Sequence, residues 1–340
     1  MLKLGVLEQS PVLSGGDAAQ ALRDTIELAK LAERLGYSRF WVSEHHNATG
    51  LAGSSPEVLL AALGARTSRI RIGSGGVLLP HYSPYKVAEN FRVLEGLYPG
   101  RIDLGIGRAP GGMPLVSRAM GREAGKDKEG GFVHSLGELA AYLEIGPPLG
   151  TGHPLAGLAA SPVVSTRPEA WLLGSSAHSA QVASAMGAGF AFAHFINGQG
   201  GQAAAREYRL RFRPGPLGSS PRVAVCVFVV CMDDDSQAER EAASLDLRLL
   251  LNDKGEYGRP VPSREEARTY AYSASDRARI AENRSRMIVG GPERAERQLY
   301  TLAASYGADE IIVNCITADA TSRSASIERI AGLIRKRIAR

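Results

Sequence analysis

Phe40-Trp41-Val42-Ser43-Glu44-His45-His46-Asn47 is the stretch on which the reading of this chain turns. Its first half, led in by Ser38-Arg39 and bounded upstream by Gly36, is short, apolar and rich in β-formers, which predicts a buried strand. Its second half sets a carboxylate, two imidazoles and an amide in four consecutive residues, where that strand runs out. Acid and base groups gathered at the carboxyl end of a core strand are how an α/β active site looks from the sequence. Alone, the stretch reads equally as a strand ending in a polar surface turn, and the surrounding chain has to decide.

Upstream, Leu2-Lys3-Leu4-Gly5-Val6-Leu7 predicts a first strand. After a Ser14-Gly15-Gly16 turn, Asp17 caps a helix that carries Ala21, Leu22, Thr25, Leu28, Ala29, Ala32 and Leu35 on one stripe and stops at Gly36. Downstream, Pro56 opens a second helix and residues 70–76 form a third strand ending in glycines. Ser83-Pro84 starts a helix, N-cap then first turn, that closes at Pro99-Gly100. Arg101-Ile102-Asp103-Leu104-Gly105-Ile106-Gly107 makes a fourth strand. Later strands fall at 170–174, 189–194, 222–232 and 309–315.

Strands alternating with helices imply right-handed crossovers and a parallel sheet. Eight of them match a (β/α)8 TIM barrel, a single α/β domain over residues 1–340, better than an open doubly wound sheet. A Rossmann fold calls for G-x-G-x-x-G after the first strand, and residues 5–16 do not supply it. Two insertions break the rhythm: 146–168, rich in Gly and Pro, and 253–286, polar and charged, just before Met287-Ile288-Val289-Gly290-Gly291. Such insertions are lids, partner-contact elements or tolerated surface elaborations. As lids, both would shape the substrate pocket. The last helix sets Ile327, Ile330, Ala331, Ile334 and Ile338 opposite Arg329, Arg335, Lys336, Arg337 and Arg340. It reads as the closing helix of the outer layer rather than a membrane-surface helix.

The composition, 44% hydrophobic and 22% charged, is that of a globular enzyme with a substantial core. A net charge of +5 and a pI near 9.1 raise the question of an acidic partner. Lys and Arg are spread along the chain without a nucleic-acid-binding signature, so a phosphate-bearing small molecule accounts for the balance. Cys226, Cys231 and Cys315 have no metal-ligand spacing, and no metal is expected. Cys226 and Cys231, five apart on one strand, should face opposite ways and cannot pair. That fits a reducing cytoplasm, as does the lack of a signal-peptide pattern or of an apolar run near the ~20 residues a membrane helix needs.

Three more features fall at strand ends. Gly73-Ser74-Gly75-Gly76-Val77-Leu78-Leu79-Pro80 clears side chains from a wall where a planar ligand could lie, unless it is only a bulge. Gly105-Ile106-Gly107-Arg108-Ala109-Pro110-Gly111-Gly112 offers small residues and then one guanidinium, suited to a phosphate or, more plainly, to a surface salt bridge. Gly174-Ser175-Ser176 precedes a helix whose free amides could receive an anion, although serine is also simply a favoured cap.

Together these segments resemble the luciferase-like flavin monooxygenases, the bacterial luciferase superfamily. Trp41-Val42-Ser43-Glu44-His45-His46 looks like the family's W-[VL]-x-E-H-H. Residues 73–84 and 101–108 are similar to its third- and fourth-strand blocks, and Leu173-Gly174-Ser175-Ser176 and Phe190-Ala191-Phe192-Ala193-His194-Phe195 to its phosphate turn and the strand beside the flavin. The resemblance implies a barrel that uses FMN or, in some branches, F420. It implies that Arg108 and the Gly174-Ser175-Ser176 turn hold the FMN phosphate, and that Gly75-Gly76 is a cis peptide beneath the isoalloxazine. Glu44 would belong to the flavin site and orient its neighbours, His194 would lie near the ring, and His45 would handle protons, titrating near neutral pH. Gly107 stands where bacterial luciferase has a reactive cysteine, which excludes a thiol role there. The implied reaction takes reduced FMN and O2 through a C4a-peroxyflavin to epoxidise or hydroxylate an organic substrate, for instance a secondary metabolite such as a polyketide. No nicotinamide-binding loop is evident, so the reduced flavin would come from a separate NAD(P)H:flavin reductase. The family also implies a homodimer. The rival expectations are F420-dependent hydride transfer and a non-catalytic flavin-binding subunit.

Overall fold

The core strands of this chain are short, largely apolar runs, and such strands are buried on both faces in a parallel sheet that helices cover. The computed structural model, which describes residues 2–108, 114–120 and 131–336, has that arrangement. In chain order the elements are β1 (Lys3–Glu8), α1 (Ala18–Arg34), β2 (Arg39–Val42), α2 (Pro56–Gly64), β3 (Arg71–Ser74), β4 (Val77–Leu78), α3 (Pro84–Leu97), β5 (Ile102–Gly107), α4 (Pro114–Ala119) and α5 (Gly131–Tyr142). The second half runs β6 (Glu169–Gly174), α6 (Ala177–Met186), β7 (Gly189–Ala193), α7 (Gly201–Arg211), β8 (Val223–Cys231), α8 (Asp235–Asp253), α9 (Arg264–Thr269), α10 (Ala274–Arg284), β9 (Met287–Gly290), α11 (Pro292–Tyr306), β10 (Glu310–Asn314) and α12 (Ala320–Lys336).

Parallel pairing runs β10-β1-β2-β3-β5-β6-β7-β8 and returns from β8 to β10, which closes an eight-stranded TIM barrel of one domain. These are the eight strands read from the sequence. β8 is longer than its neighbours: Ala224–Phe228 pair with β10, and Phe228–Cys231 continue past the barrel to pair with β9. Residues 287–290 are therefore a strand outside the barrel, one end of the roof described below. The third strand ends earlier than expected, at Ser74. The Gly75–Gly76 bond is cis, and the chain resumes as β4 against β5.

At the amino end of the barrel the interior is ionic. Arg39 donates to Asp103 (2.5 Å) and Glu310 (2.9 Å), and Arg71 and the Trp41 indole N–H donate to the same Asp103, each at 2.8 Å. Arg39 and Arg222 lie over the Trp171 ring at 4.9 and 4.7 Å, and Trp171 meets Trp41 edge-on at 5.5 Å. Two tryptophans fit inside so narrow a barrel because neighbouring strands carry glycine: a Cβ on Gly189 would stand 2.6 Å from the Trp171 ring. Cys226 faces this interior and Cys231 the surrounding helices, the opposite faces that their spacing requires.

Asp17 caps α1 by accepting from the Gln20 amide, whereas Ser83 leads α3 without a side-chain cap. α12 buries Ile327, Ile330 and Ala331 and packs on α1, α11 and β8, so it closes the outer layer. The side chains of Ile334, Arg335, Lys336, Arg337, Ile338 and Arg340, and the Ala109-Pro110-Gly111-Gly112 loop, lie outside the described residues. Among the described residues no helix is long and apolar enough to cross a membrane.

The two insertions lie at opposite ends. Residues 253–286 with α8 form a roof at the carboxyl end: Thr49 and Gly50 donate to the Gly258 carbonyl, and the Val261 N–H donates to Val12. Residues 146–168 begin and end at the other side of the barrel. Gly146, Pro147 and Arg167 border a groove of about 850 Å³ with Glu169 and Arg222, at the amino ends of the strands. The cause is topological, because a segment between α5 and β6 must deliver the chain to the start of β6.

Candidate active site

The carboxyl ends of β1, β2, β3, β5, β6 and β7 surround a cavity of about 370 Å³. Nine of the ten residues anticipated for the site border it: Glu44, His45, Gly75, Gly76, Gly107, Arg108, Gly174, Ser175 and Ser176. One end is polar. Ser176 is the N-cap of α6, its Oγ 3.4 Å from the Ser179 amide and 3.3 Å from the Ser179 hydroxyl. Gly174 is needed there, since a Cβ would run into the Ser179 side chain. Arg108 stands exposed on the same rim, and among the described residues no carboxylate pairs with it. A guanidinium, two or three hydroxyls and a helix amino terminus make an anion cradle. The other walls are apolar (Leu7, Trp41, Leu173, Ala191, Phe195) or bare backbone at Gly75, Gly76 and Gly107. Flat, side-chain-poor walls beside an anion cradle fit a planar molecule with a phosphate tail.

Glu44 belongs to the wall rather than to a ligand. One oxygen accepts from the Tyr82 hydroxyl and meets His46 Nε2, both at 2.7 Å, and the other accepts the Leu78 amide at 3.0 Å. This ties the end of β2 to β4 and fixes the turn that carries His45. Asn47, the last residue of the opening stretch, has φ 52°, a left-handed conformation that asparagine tolerates. His45 is half-buried, with Nδ1 3.1 Å from the Ser43 hydroxyl. Burial, then the nearby Arg248 and His46 charges, push its imidazole down to about 4. A histidine titrating near neutral pH is therefore not what this site holds: His45 is neutral at pH 7, and its cationic form is suppressed by a low-polarity setting and a neighbouring guanidinium.

His194 is the residue that the structure does not bring to the cavity. Side chains alternate along β7, so Ala191 and Ala193 face inward while His194 turns outward, its Nδ1 2.9 Å from the Tyr306 hydroxyl of α11. Phe195, next along, lines the cavity instead.

A second compartment of about 540 Å³ adjoins the first and shares Gln9, His45, Phe195 and Ile196 with it. Its far wall is the roof: Leu245, Arg248, Leu249, Asn252 and Asp253 of α8, with Tyr257, Gly258 and Arg286. Sequence reasoning anticipated a lid here but none of these residues. The available signal was Arg248 itself, a lone cation among Leu245, Leu247, Leu249, Leu250 and Leu251. His134, Glu138 and His153 form a separate group whose ligand atoms lie within 4.8 Å of one another. His153 Nδ1 accepts the Leu155 amide there, which leaves its Nε2–H directed at Glu138 3.4 Å away, a hydrogen-bonded arrangement.

Residues 2–310 match the sequence profile of the luciferase-like monooxygenase family. The chain is 52% identical to the uncharacterised Bacillus subtilis protein YwcH, over 93% of this chain and 94% of that one. It is 38% identical to the N-acetyl-S-alkylcysteine monooxygenase of the same organism, over 92% of each. Among solved structures, apo-MsnO8 superposes with a TM-score of 0.88 at 39% identity, covering 98% of this chain and 99% of that one. With the closed barrel and the cavity at its carboxyl end, these matches identify the chain as a member of the luciferase-like monooxygenase family.

Proposed function

We propose that this protein is an FMN-dependent monooxygenase which receives reduced FMN from a separate reductase and uses O2 to oxygenate a small organic substrate. The observation that carries the reading is the single cavity shared by the Gly174-Ser175-Ser176-Ser179 cradle, Arg108, the bare Gly75-Gly76 wall and His45. Among solved structures that share the fold, the oxygenating constituent of 3,6-diketocamphane monooxygenase is in complex with FMN and a tetrahydromethanopterin reductase is F420-dependent. When bound, reduced flavin supplies the two electrons that activate O2. The chain supplies the rest. Arg108 and the start of α6 would hold the phosphate, and the Trp41 and Leu173 side of the cavity would border the ring. The roof keeps water from the reacting atoms. His45, neutral and with Nδ1 3.1 Å from the Ser43 hydroxyl, is suited to hydrogen-bond to a group at the ring without bringing a permanent charge to it. Glu44 holds that wall in register as a positioning residue.

The test has two parts. Calorimetric titration with FMN and with F420 should give saturable binding of FMN alone. Turnover under 18O2 with a flavin reductase and NAD(P)H should then place one labelled oxygen in the product. Tight binding of F420 in place of FMN would favour hydride transfer, and FMN capture without any oxygen incorporation across a substrate panel would favour a non-catalytic subunit. Cytoplasmic residence and a homodimer belong to the same proposal.

A further inference from the structure

The roof compartment contains a buried charge, the Arg248 guanidinium. Arg248 is 7% exposed, and its Nη1 is buried with no hydrogen-bond partner. Among the described residues nothing forms an ion pair with it. The Glu8 carboxylate favours its charged form, but Glu8 is already committed to Arg323 (3.0 Å) and the Ser10 amide (2.8 Å), and Asp246, two residues earlier on α8, to Arg284 (2.6 Å). Asp253, the one carboxylate among the lining residues, accepts from Arg279 (2.7 Å) and Asn283 (2.9 Å). Arg286, on the same wall, donates to neutral oxygens, the Ile196 carbonyl and Asn283 Oδ1, both at 2.6 Å. Burial pushes Arg248 down to about 10, which still leaves it charged at pH 7.

A buried, unpaired guanidinium is costly, and a fold carries one where a ligand completes it. The same compartment has an apolar side, Phe195, Phe228, Leu245, Leu249 and Ile316, and a polar one that includes Gln9, His46, Asn47 and Asn252, and it shares Phe195 with the cavity that His45 borders. We propose that this compartment binds an amphiphilic organic acid, its carboxylate gripped by Arg248 with Arg286 as the second cation, and its apolar portion laid along Phe195 and Phe228 toward His45. A planar two-pronged donor matches a carboxylate's two oxygens, and the leucines around it exclude competing water. The inference rests on the flavin reading only for which end of the acid is oxygenated.

The test is calorimetric titration of the flavin-free full-length protein with octanoate and 4-phenylbutyrate, each against its carboxamide. The acids should bind at least about tenfold more tightly than the amides, a difference of one decade in Kd. Arg248→Met should erase that preference while leaving amide binding in place, and Arg248→Lys, which keeps the charge but loses the fork, should retain part of it. Equal binding of acids and amides, absence of binding included, overturns the proposal, as does an acid preference that survives Arg248→Met. If Arg248→Met fails to fold by thermal melting, Arg248→Lys and Arg286→Met carry the test, each required to lower the preference several-fold. FMN titration of the same variants separates the two readings. Wild type that fails to bind FMN but prefers acids sinks the flavin assignment alone; Arg248→Met that loses FMN while acids and amides bind alike shows that Arg248 serves the flavin and removes the acid site.

Discussion

His45 and Arg108 pose the sharpest questions at the scale of single residues. With its imidazole pushed down to about 4, His45 should titrate well below a free histidine, and its ring-proton chemical shifts followed against pH should show this directly. The sign for stability follows. The folded value lies below the unfolded one, so the contribution is complete above about pH 6.5 and is lost as pH falls toward 4. Product formation should accordingly show no inflection from His45 between pH 6 and 8. His45→Ala should keep FMN affinity and lower product yield; unchanged yield would remove the residue from the chemistry. Arg108→Ala should weaken FMN binding by about 1.5–3 kcal/mol, the scale of a charge-assisted contact, and equal affinities by calorimetry would count against the phosphate role.

Gly174 is where a residue governs an element. An added Cβ would meet the Ser179 side chain, and relief requires the start of α6 to shift away from β6. Gly174→Ala should therefore weaken FMN binding more than it lowers the melting temperature, whereas Gly189→Ala, which crowds Trp171 far from the cradle, should destabilise by about 1–3 kcal/mol with little effect on FMN affinity. The elements themselves were largely readable, and for a physical reason: strands buried on both faces appear as uninterrupted apolar runs, and βα units punctuate them with Gly, Pro and Asp. What escaped depended on distant partners. The run at 287–290 looks like any core strand, and only the overshoot of β8 places it in the roof. His194 was misplaced by one step of strand alternation. The acidity of His45 could not be judged from its neighbours in sequence, because it comes first from burial by the folded chain and then from a guanidinium of α8, some two hundred residues on. α4 and α5 fall in a stretch to which the reading attached no element.

At the scale of the whole molecule the barrel has two unlike ends, a charged plug at the amino side and a roofed pair of chambers at the carboxyl side. Asp103 joins Arg39, Arg71 and Trp41 in the plug. Asp103→Ala should cost about 3–5 kcal/mol in urea unfolding, because it strands the buried Arg39 and the half-buried Arg71, and a much smaller loss would mean that Glu310 and Glu169 suffice to hold them. The plug also bears on how the protein can be observed. The sequence contains two tryptophans, and both stand together beneath the cavity proposed to receive the flavin, one of them in its wall. The molecule's ultraviolet emission thus originates almost entirely at the floor of its own site, so quenching by energy transfer to an arriving yellow chromophore would read out occupancy without any label.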